Sequence, residues 1–365
     1  MEKIKILQGN CIDKIKELDD NSIDCVVSSP PYFGLRNYQV EEQFGLEKTY
    51  QEYIANTVKV FETFKPKLKD TATIWWNVGD SYSSGLRKST TNQSLRNGKD
   101  YGVTRTPVQN GIKEKDLLMI PNRVAIALQE AGWYIRSEII WHKPNPMPES
   151  VRDRPTSAHE KIWLITKNKK YYYDAESIKE PTKTKPAKRD KMGEGYQADY
   201  TKGKRFSEGE RVWGSLLKNK RNVWTVTTKP FKGAHFATFP KDLIEPCIKA
   251  GCPEKVCVEC GKPQVKEFYR DKSTLPVKRN KRDGDSDRAV GGVYQKWMEE
   301  NPPQITIKPS CNCNKGFKSG IVLDPFAGAG TTGLVAKENN RAAILIELNG
   351  EYLAMAKKRI ETVLI

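Results

Sequence analysis

The chain has 365 residues, with 62 Lys and Arg against 45 Asp and Glu, a formal net charge of +17. Apolar residues make up 37%, too many for a mostly disordered chain, and eight cysteines are too sparse for a disulfide scaffold. With no signal peptide and no apolar run long enough to span a bilayer, the expectation is a soluble, cytoplasmic protein whose basic surface meets a polyanion, nucleic acid ahead of a membrane.

Met1 to Gly9 is a charged, strand-like run, and Ile23 to Ser28 has the pattern of a short buried strand that stops at a Pro-Pro turn. Tyr50 to Phe64 carries apolar residues at helical spacing; Thr71 to Val78 returns to strand, with Trp75 and Trp76 alternating as core or cleft wall. After a polar stretch from about Gly85 to Lys115, Pro121 opens a helix that Gly132 stops. Trp133 to Trp141 and Lys161 to Thr166 read as strands. Residues 179–232 then hold 15 Lys and Arg against 6 Asp and Glu, net +9, with no apolar period until about Val212. This is a loop-rich insertion rather than core. A third polar stretch runs from about Lys262 to Pro309. The end of the chain reads Gly320 to Asp324 as strand, a Gly-rich turn, a helix from Thr332, a strand from Ala342 to Glu347 and a helix from Gly350. Strands alternating with helices predict an α/β fold: a parallel sheet with helices on both faces and ligands at the carboxyl ends of the strands.

The Gly-rich turn is Asp324-Pro325-Phe326-Ala327-Gly328-Ala329-Gly330-Thr331-Thr332. Gly328 and Gly330 would let backbone N–H groups approach a ligand, and the helix start favours an anionic group. No Lys follows, which argues against a phosphate-gripping loop. Glu347 ends the next strand 23 positions after Asp324, where a carboxylate accepts hydrogen bonds from ribose hydroxyls. The expected ligand is a nucleoside with a small anionic arm, a description that S-adenosylmethionine satisfies.

Ser29-Pro30-Pro31-Tyr32 also follows a strand directly. Two prolines fix the backbone and remove two N–H donors, leaving carbonyls that suit an amino group. Ser29 adds an acceptor and Tyr32 a flat face for a planar ring. Standing alone, these four residues read as a rigid turn at a strand end. Together with the Gly-rich turn, they resemble the catalytic tetrad of the DNA amino-methyltransferases, which modify the N4 amine of cytosine or the N6 amine of adenine. The tetrad precedes the cofactor turn, an order similar to the circularly permuted beta type of that family. The likeness extends to Gly9-Asn10-Cys11, to Ser22 through Tyr32, to Trp141 through Thr156, to His159-Glu160, and to His235-Phe236-Ala237-Thr238-Phe239-Pro240.

The resemblance implies a Rossmann-like, S-adenosylmethionine-dependent methyltransferase sheet with basic insertions. It places Asn10 near the cofactor's adenine, where relatives often carry Asp, and Thr238 and Phe239 near its methionine end. Asp324, Pro325, Phe326, Gly328, Gly330, Thr331, Thr332 and Glu347 complete the implied cofactor site, and Ser29, Pro30, Pro31 and Tyr32 the catalytic one. Ser before Pro-Pro goes mainly with cytosine-N4 enzymes, so cytosine ranks ahead of adenine. The target base is expected to leave the duplex, stack on Tyr32 and be held through its amine by Ser29 and the Pro30 carbonyl. Methylation at C5 is disfavoured, because the one Pro-Cys, Pro246-Cys247, is followed by Ile on a helical segment. Weaker readings are an RNA or protein-glutamine N-methyltransferase and a catalytically silent DNA-binding module. The implied partner is double-stranded DNA, with a restriction endonuclease as a further candidate, in a prokaryotic or phage setting.

Cys257-x-x-Cys260 and Cys311-x-Cys313 have the spacing of two zinc-binding turns, and four thiolates would make a structural tetrahedral site. Cys252 is a competing ligand; Cys11 and Cys25 read as packing residues. His142, His159 and His235 lack ligand spacing. The expected organisation is a catalytic half over 1–178, a basic target-recognition region over 179–222, a cofactor-side segment over 223–251, a zinc-ribbon-like insertion over 252–319 and a cofactor-binding half over 320–365. Lys188-Arg189, Lys204-Arg205 and Lys220-Arg221 are the recognition candidates.

Overall fold

Apolar runs buried on both faces build the centre of this molecule. In the computed structural model, all six residues of the strand Ile23–Ser28 are buried, as are the last seven of Leu68–Val78. The structure describes residues 4–35, 37, 38, 40, 42–83, 109, 111–181, 187, 188, 212, 213, 217–228, 239–269, 271, 273, 297, 300–302 and 304–362. They divide into two units, one formed by Met1–Ile178, Arg221–Pro263 and Cys313–Ile365, the other by Lys179–Lys220 and Gln264–Asn312.

The first unit contains strands β1 (Ile4–Gln8), β2 (Ile23–Ser28), β3 (Leu68–Val78), β4 (Tyr134–His142), β5 (His159–Thr166) and β6 (Val223–Thr225). Strand β7 is Lys255–Cys257; the second unit supplies β8 (Gln264–Tyr269) and β9 (Gln304–Pro309). The first unit continues with β10 (Phe317–Ser319), β11 (Ile321–Asp324) and β12 (Ala342–Glu347). Its helices are α1 (Cys11–Lys16), α2 (Tyr50–Phe64), α3 (Ile120–Glu130), α4 (Lys241–Gly251), α5 (Thr331–Glu338) and α6 (Gly350–Glu361).

Eight strands form one sheet in the order β1-β12-β11-β2-β3-β5-β4-β6. Strand β11, which carries the Gly-rich turn, pairs in parallel with β12 on one side and with β2, which carries the tetrad, on the other. Both motifs therefore open at the same sheet edge. Helices cover both faces. Cys25, Val27 and Trp75 pack with Leu243, Ile248 and Val335 of α4 and α5, whereas Val26, Ile74 and Trp76 pack with Val60, Phe61 and Val124 of α2 and α3. Trp75 and Trp76, both fully buried, thus occupy opposite cores, as the two-residue period of a strand requires.

Three features differ from the sequence reading. Strand β5 runs antiparallel to both β3 and β4, because β4 and β5 are joined without a crossover helix. Helix α1 was not expected; Asn10 caps it, accepting from the Ile12 N–H at 3.0 Å. Strand β6 adds to the edge, parallel to β4.

In the second unit β8 and β9 pair antiparallel over six residues each, and two-residue ladders join Glu180–Pro181 to Leu217–Lys218 and Ala187–Lys188 to Val212–Trp213. Most of the expected recognition region, including Arg189, Lys204 and Arg205, lies outside the described residues, as do His235 and Thr238. No described helix is long and apolar enough to cross a membrane.

Candidate active site

Strands β1, β2, β3, β11 and β12 end, and β5 begins, at one edge of the sheet. The loops leaving that edge enclose a cavity of about 420 Å³. Gly9, Asn10, Ser29, Pro31, Pro325, Phe326, Gly328, Thr331, Glu347 and Phe239 all line it, so most of the candidate cofactor and catalytic residues converge on one space. Phe44, Tyr38 and Tyr352 give it further aromatic walls. Cys11, half-buried and packed against the core as expected, lines it too; burial pushes its thiol up to about 12.

The Gly-rich turn is held from below. Asp324 is fully buried and accepts from Ser28 Oγ at 2.6 Å, Thr332 Oγ1 at 2.6 Å and the Phe326 N–H at 3.1 Å. Loss of water pushes its carboxyl up to about 6 from 3.8, with the three hydrogen bonds opposing the rise. Gly330, at φ +72°, adopts the left-handed conformation, and a Cβ there would lie 2.8 Å from Ala356 Cβ on α6. Its N–H bonds to the Ala327 carbonyl at 2.8 Å. Asp324, Gly330 and Thr332 thus sit behind the turn and not on the cavity wall, and the Gly330 N–H is used within the turn itself.

Gly328, at φ +50°, donates its N–H to Glu347 Oε2 at 2.7 Å, and the Asn349 N–H reaches Oε1 at 2.8 Å. Two backbone donors therefore aim the Glu347 carboxylate while each oxygen keeps a lone pair for a ligand hydroxyl. Its pKa is raised, mainly by burial. Thr331 is gripped by Arg359, which donates to its Oγ1 at 2.8 Å and to the Ala329 carbonyl at 3.0 Å. Asn10 caps α1 and donates to Glu42 Oε2 at 3.3 Å.

At the tetrad, the carbonyls of Pro31 and Tyr32 are occupied, by the Tyr53 hydroxyl at 3.2 Å and the Leu35 N–H at 3.3 Å. Among the described residues none donates to the Pro30 carbonyl. The Tyr32 hydroxyl is 2.5 Å from Glu160 Oε2, 2.5 Å from Asn77 Nδ2 and 3.2 Å from Ser29 Oγ. Burial first, and then the Glu160 carboxylate, hold this phenol well above its ordinary pKa. Its ring edge rests on Gly79, where a Cβ would meet Tyr32 Cε2 at 2.5 Å.

Asn77 was not singled out from the sequence, and Glu160 and Lys143 stood only within stretches of family likeness, with no role assigned to either. Asn77 is the last but one residue of β3 and Glu160 the second of β5, strands whose antiparallel pairing brings these ends together; Asn77 Nδ2 is 2.9 Å from Glu160 Oε2. Lys143 pairs with Glu160 Oε1, its ammonium 4.4 Å from the centre of the Trp141 ring. Asp80, just past β3, accepts from the N–H groups of Ser81 at 2.9 Å and Ile120 at 3.0 Å, tying that strand end to α3. The alternation of hydrophobic residues marks these strands but says nothing of which polar ends meet.

In the first unit, the sulfur atoms of Cys257, Cys260 and Cys313 lie within 4.8 Å of one another. Four thiolates around one zinc stand roughly 3.8 Å apart, so this trio has the separation and donor chemistry of such a site. The turn is built for it: the Gly261 N–H bonds to the Cys257 carbonyl at 3.0 Å with Gly261 at φ +69°, and β7 pairs antiparallel with β10 to bring the two cysteine turns together. Cys252 is not one of the group; like Cys25 and Cys247 it is buried in the core. His142 and His159 face each other across β4 and β5, with His142 Nδ1 3.2 Å from Thr225 Oγ1.

A profile of the DNA methylase family matches residues 23–258 and 263–358. The chain is 37% identical over 360 residues to the Type II methyltransferase M.SmaI of Serratia marcescens, spanning 99% of this chain and 91% of that one. It is 35% identical over 356 residues to the Type II methyltransferase M.Cfr9I of Citrobacter freundii, spanning 98% and 87%. Its fold is similar to that of the PvuII DNA methyltransferase (cytosine-N4-specific), with a TM-score of 0.54 at 15% identity over 98% of this chain and 86% of that one.

Proposed function

Since the chain belongs to the DNA methylase family, whose members act on cytosine N4 or adenine N6, we propose that it transfers a methyl group from S-adenosylmethionine to the N4 amine of cytosine in double-stranded DNA. The observation that carries this reading is the junction of two sites in one cavity: Ser29 and Pro31 of the tetrad line the same space as Glu347 and Phe326 of the nucleoside site.

S-adenosylmethionine fits the cavity by its donor and acceptor chemistry. The Glu347 carboxylate would accept from the ribose hydroxyls, and Phe326, Phe44 and Tyr352 would sandwich a flat purine. The cosubstrate supplies a sulfonium-bound methyl group. The base, turned out of the duplex, would offer its amine to the Pro30 carbonyl and the Ser29 oxygen, both acceptors. As the nitrogen lone pair forms the new C–N bond, the C–S pair returns to sulfur and the amine's surplus proton passes to water. No covalent bond to the protein is needed. Proximity and the aligned lone pair supply the acceleration. The choice of cytosine rests on Ser29: a hydroxyl ahead of Pro-Pro goes mainly with cytosine in this family.

The +9 excess of residues 179–232 would hold the phosphate backbone, while the groups that would act on the amine, the Ser29 hydroxyl and the Pro30 carbonyl, are uncharged. Zinc held by Cys257, Cys260 and Cys313, with Cys311 two residues ahead of the last, would brace the insertion and take no part in the chemistry. The test of the tetrad is the double variant Ser29→Ala, Tyr32→Ala. It is expected to lose methyl transfer to DNA and to keep S-adenosylmethionine binding in calorimetry; transfer that persists would refute the assignment.

A further inference from the structure

We infer that Glu160 is a positioning residue that fixes the direction of the hydroxyl hydrogens at the tetrad, so that Ser29 meets the substrate amine with a lone pair. The inference rests on the reading of Ser29 as an acceptor of that amine. An ionised carboxylate can only accept. Glu160 Oε2 lies 2.5 Å from the Tyr32 oxygen, so the phenol must donate there. The Tyr32 oxygen is then left with lone pairs alone, and these take Asn77 Nδ2 at 2.5 Å and the Ser29 hydroxyl at 3.2 Å. The single hydrogen of Ser29 is thereby committed to Tyr32. The other neighbour of Ser29 Oγ is Asn77 Nδ2 at 3.3 Å, itself a donor. What Ser29 still presents to the cavity it lines is a lone pair, the complement of an amine hydrogen.

Lys143 makes the arrangement one-directional. Its ammonium pairs with Oε1, which turns Oε2 to Tyr32. Both side chains are largely shielded, at 19% and 15% exposure, so solvent and salt screen the pair weakly. If residue 160 donated instead of accepting, Tyr32 would no longer need to give its hydrogen away. Ser29 could then swing its own hydrogen into the cavity, where it would face the amine donor to donor.

The test uses the full chain, labelled S-adenosylmethionine and unmodified genomic DNA in single-turnover reactions, with calorimetry of S-adenosylmethionine alongside. Glu160→Gln is expected to slow transfer at least tenfold with the cosubstrate Kd within twofold. In a Tyr32→Phe background, which removes the hydroxyl that transmits the effect, Glu160→Gln is expected to cause no further slowing. An unchanged rate in the single variant, or losses that multiply in the double variant, would overturn the inference. Should Glu160→Gln lose cosubstrate binding, Lys143→Gln carries the same test, with the same loss confined to the background that retains Tyr32; a multiplied loss or none overturns it. A wild-type chain that labels no exocyclic amine overturns the functional reading and this inference with it. Labelling by the wild type that Glu160→Gln matches overturns this inference alone.

Discussion

Asp324 on β11 accepts a 2.6 Å hydrogen bond from Ser28 on β2, so the strand that delivers the Gly-rich turn is tied by one buried carboxyl to the strand that delivers the tetrad. The same carboxyl takes Thr332 Oγ1 at 2.6 Å and so holds the start of α5 as well. The distance between the two halves of the site is set from behind.

That carboxyl gives stability a pH signature. Its pKa, pushed up to about 6 in the folded chain from 3.8, means that the folded state binds the proton more tightly. An acid raised in this way contributes stability that is whole below about pH 4 and lost as pH rises through about 6, about 3 kcal/mol by linkage. Asp324→Asn cannot titrate, so its Tm relative to wild type should climb between pH 4 and pH 7 in calorimetric scans. A constant difference across that window would contradict a buried titrating carboxyl.

Glu347→Ala should weaken S-adenosylmethionine binding by roughly 30-fold, about 2 kcal/mol, as expected for the loss of charge-assisted hydrogen bonds. Glu347→Gln, which keeps one acceptor, should fall between. Calorimetric titration of the two variants checks the order; equal affinities would remove Glu347 from the cosubstrate site.

Gly79→Ala isolates the placement of Tyr32. The added Cβ would lie 2.5 Å and 2.7 Å from two ring carbons, so the ring must move. A displacement of this kind should slow transfer by about 100-fold while cosubstrate affinity stays within twofold. Single-turnover kinetics read the first quantity and calorimetry the second. A full rate in this variant would mean that the ring position is immaterial.

For the cysteines, the purified chain should carry one zinc per molecule by elemental analysis, and Cys257→Ser should lose it. Because the trio stands apart from the cavity lining, the metal-free variant should bind S-adenosylmethionine normally at low temperature and unfold earlier on heating. Zinc content that survives in Cys257→Ser would exclude the site.

Much of this architecture could be read in the residues. Strands β2, β3, β11 and β12 each carry a short apolar run, and helix α2 shows its period. Helix α1 was hidden because a six-residue helix has too few turns to display a period. The reversal of β5 was hidden because a strand buried on both faces reads alike in either direction. The two glycines of the turn looked equivalent, yet Gly328 orients Glu347 whereas Gly330 makes room for Ala356, a distinction that depends on where α6 packs. Asn77 and Glu160 come from strands 83 positions apart and become neighbours only through the β3–β5 register. Tertiary pairing, not local pattern, makes that cluster.

The most direct test of the central claim is the identity of the methylated nucleoside. The chain is incubated with labelled S-adenosylmethionine and unmodified double-stranded DNA, and the product is digested and separated. The account predicts label in N4-methyldeoxycytidine. Label in N6-methyldeoxyadenosine would contradict the choice of cytosine, and label in neither would contradict methyl transfer to a DNA amine.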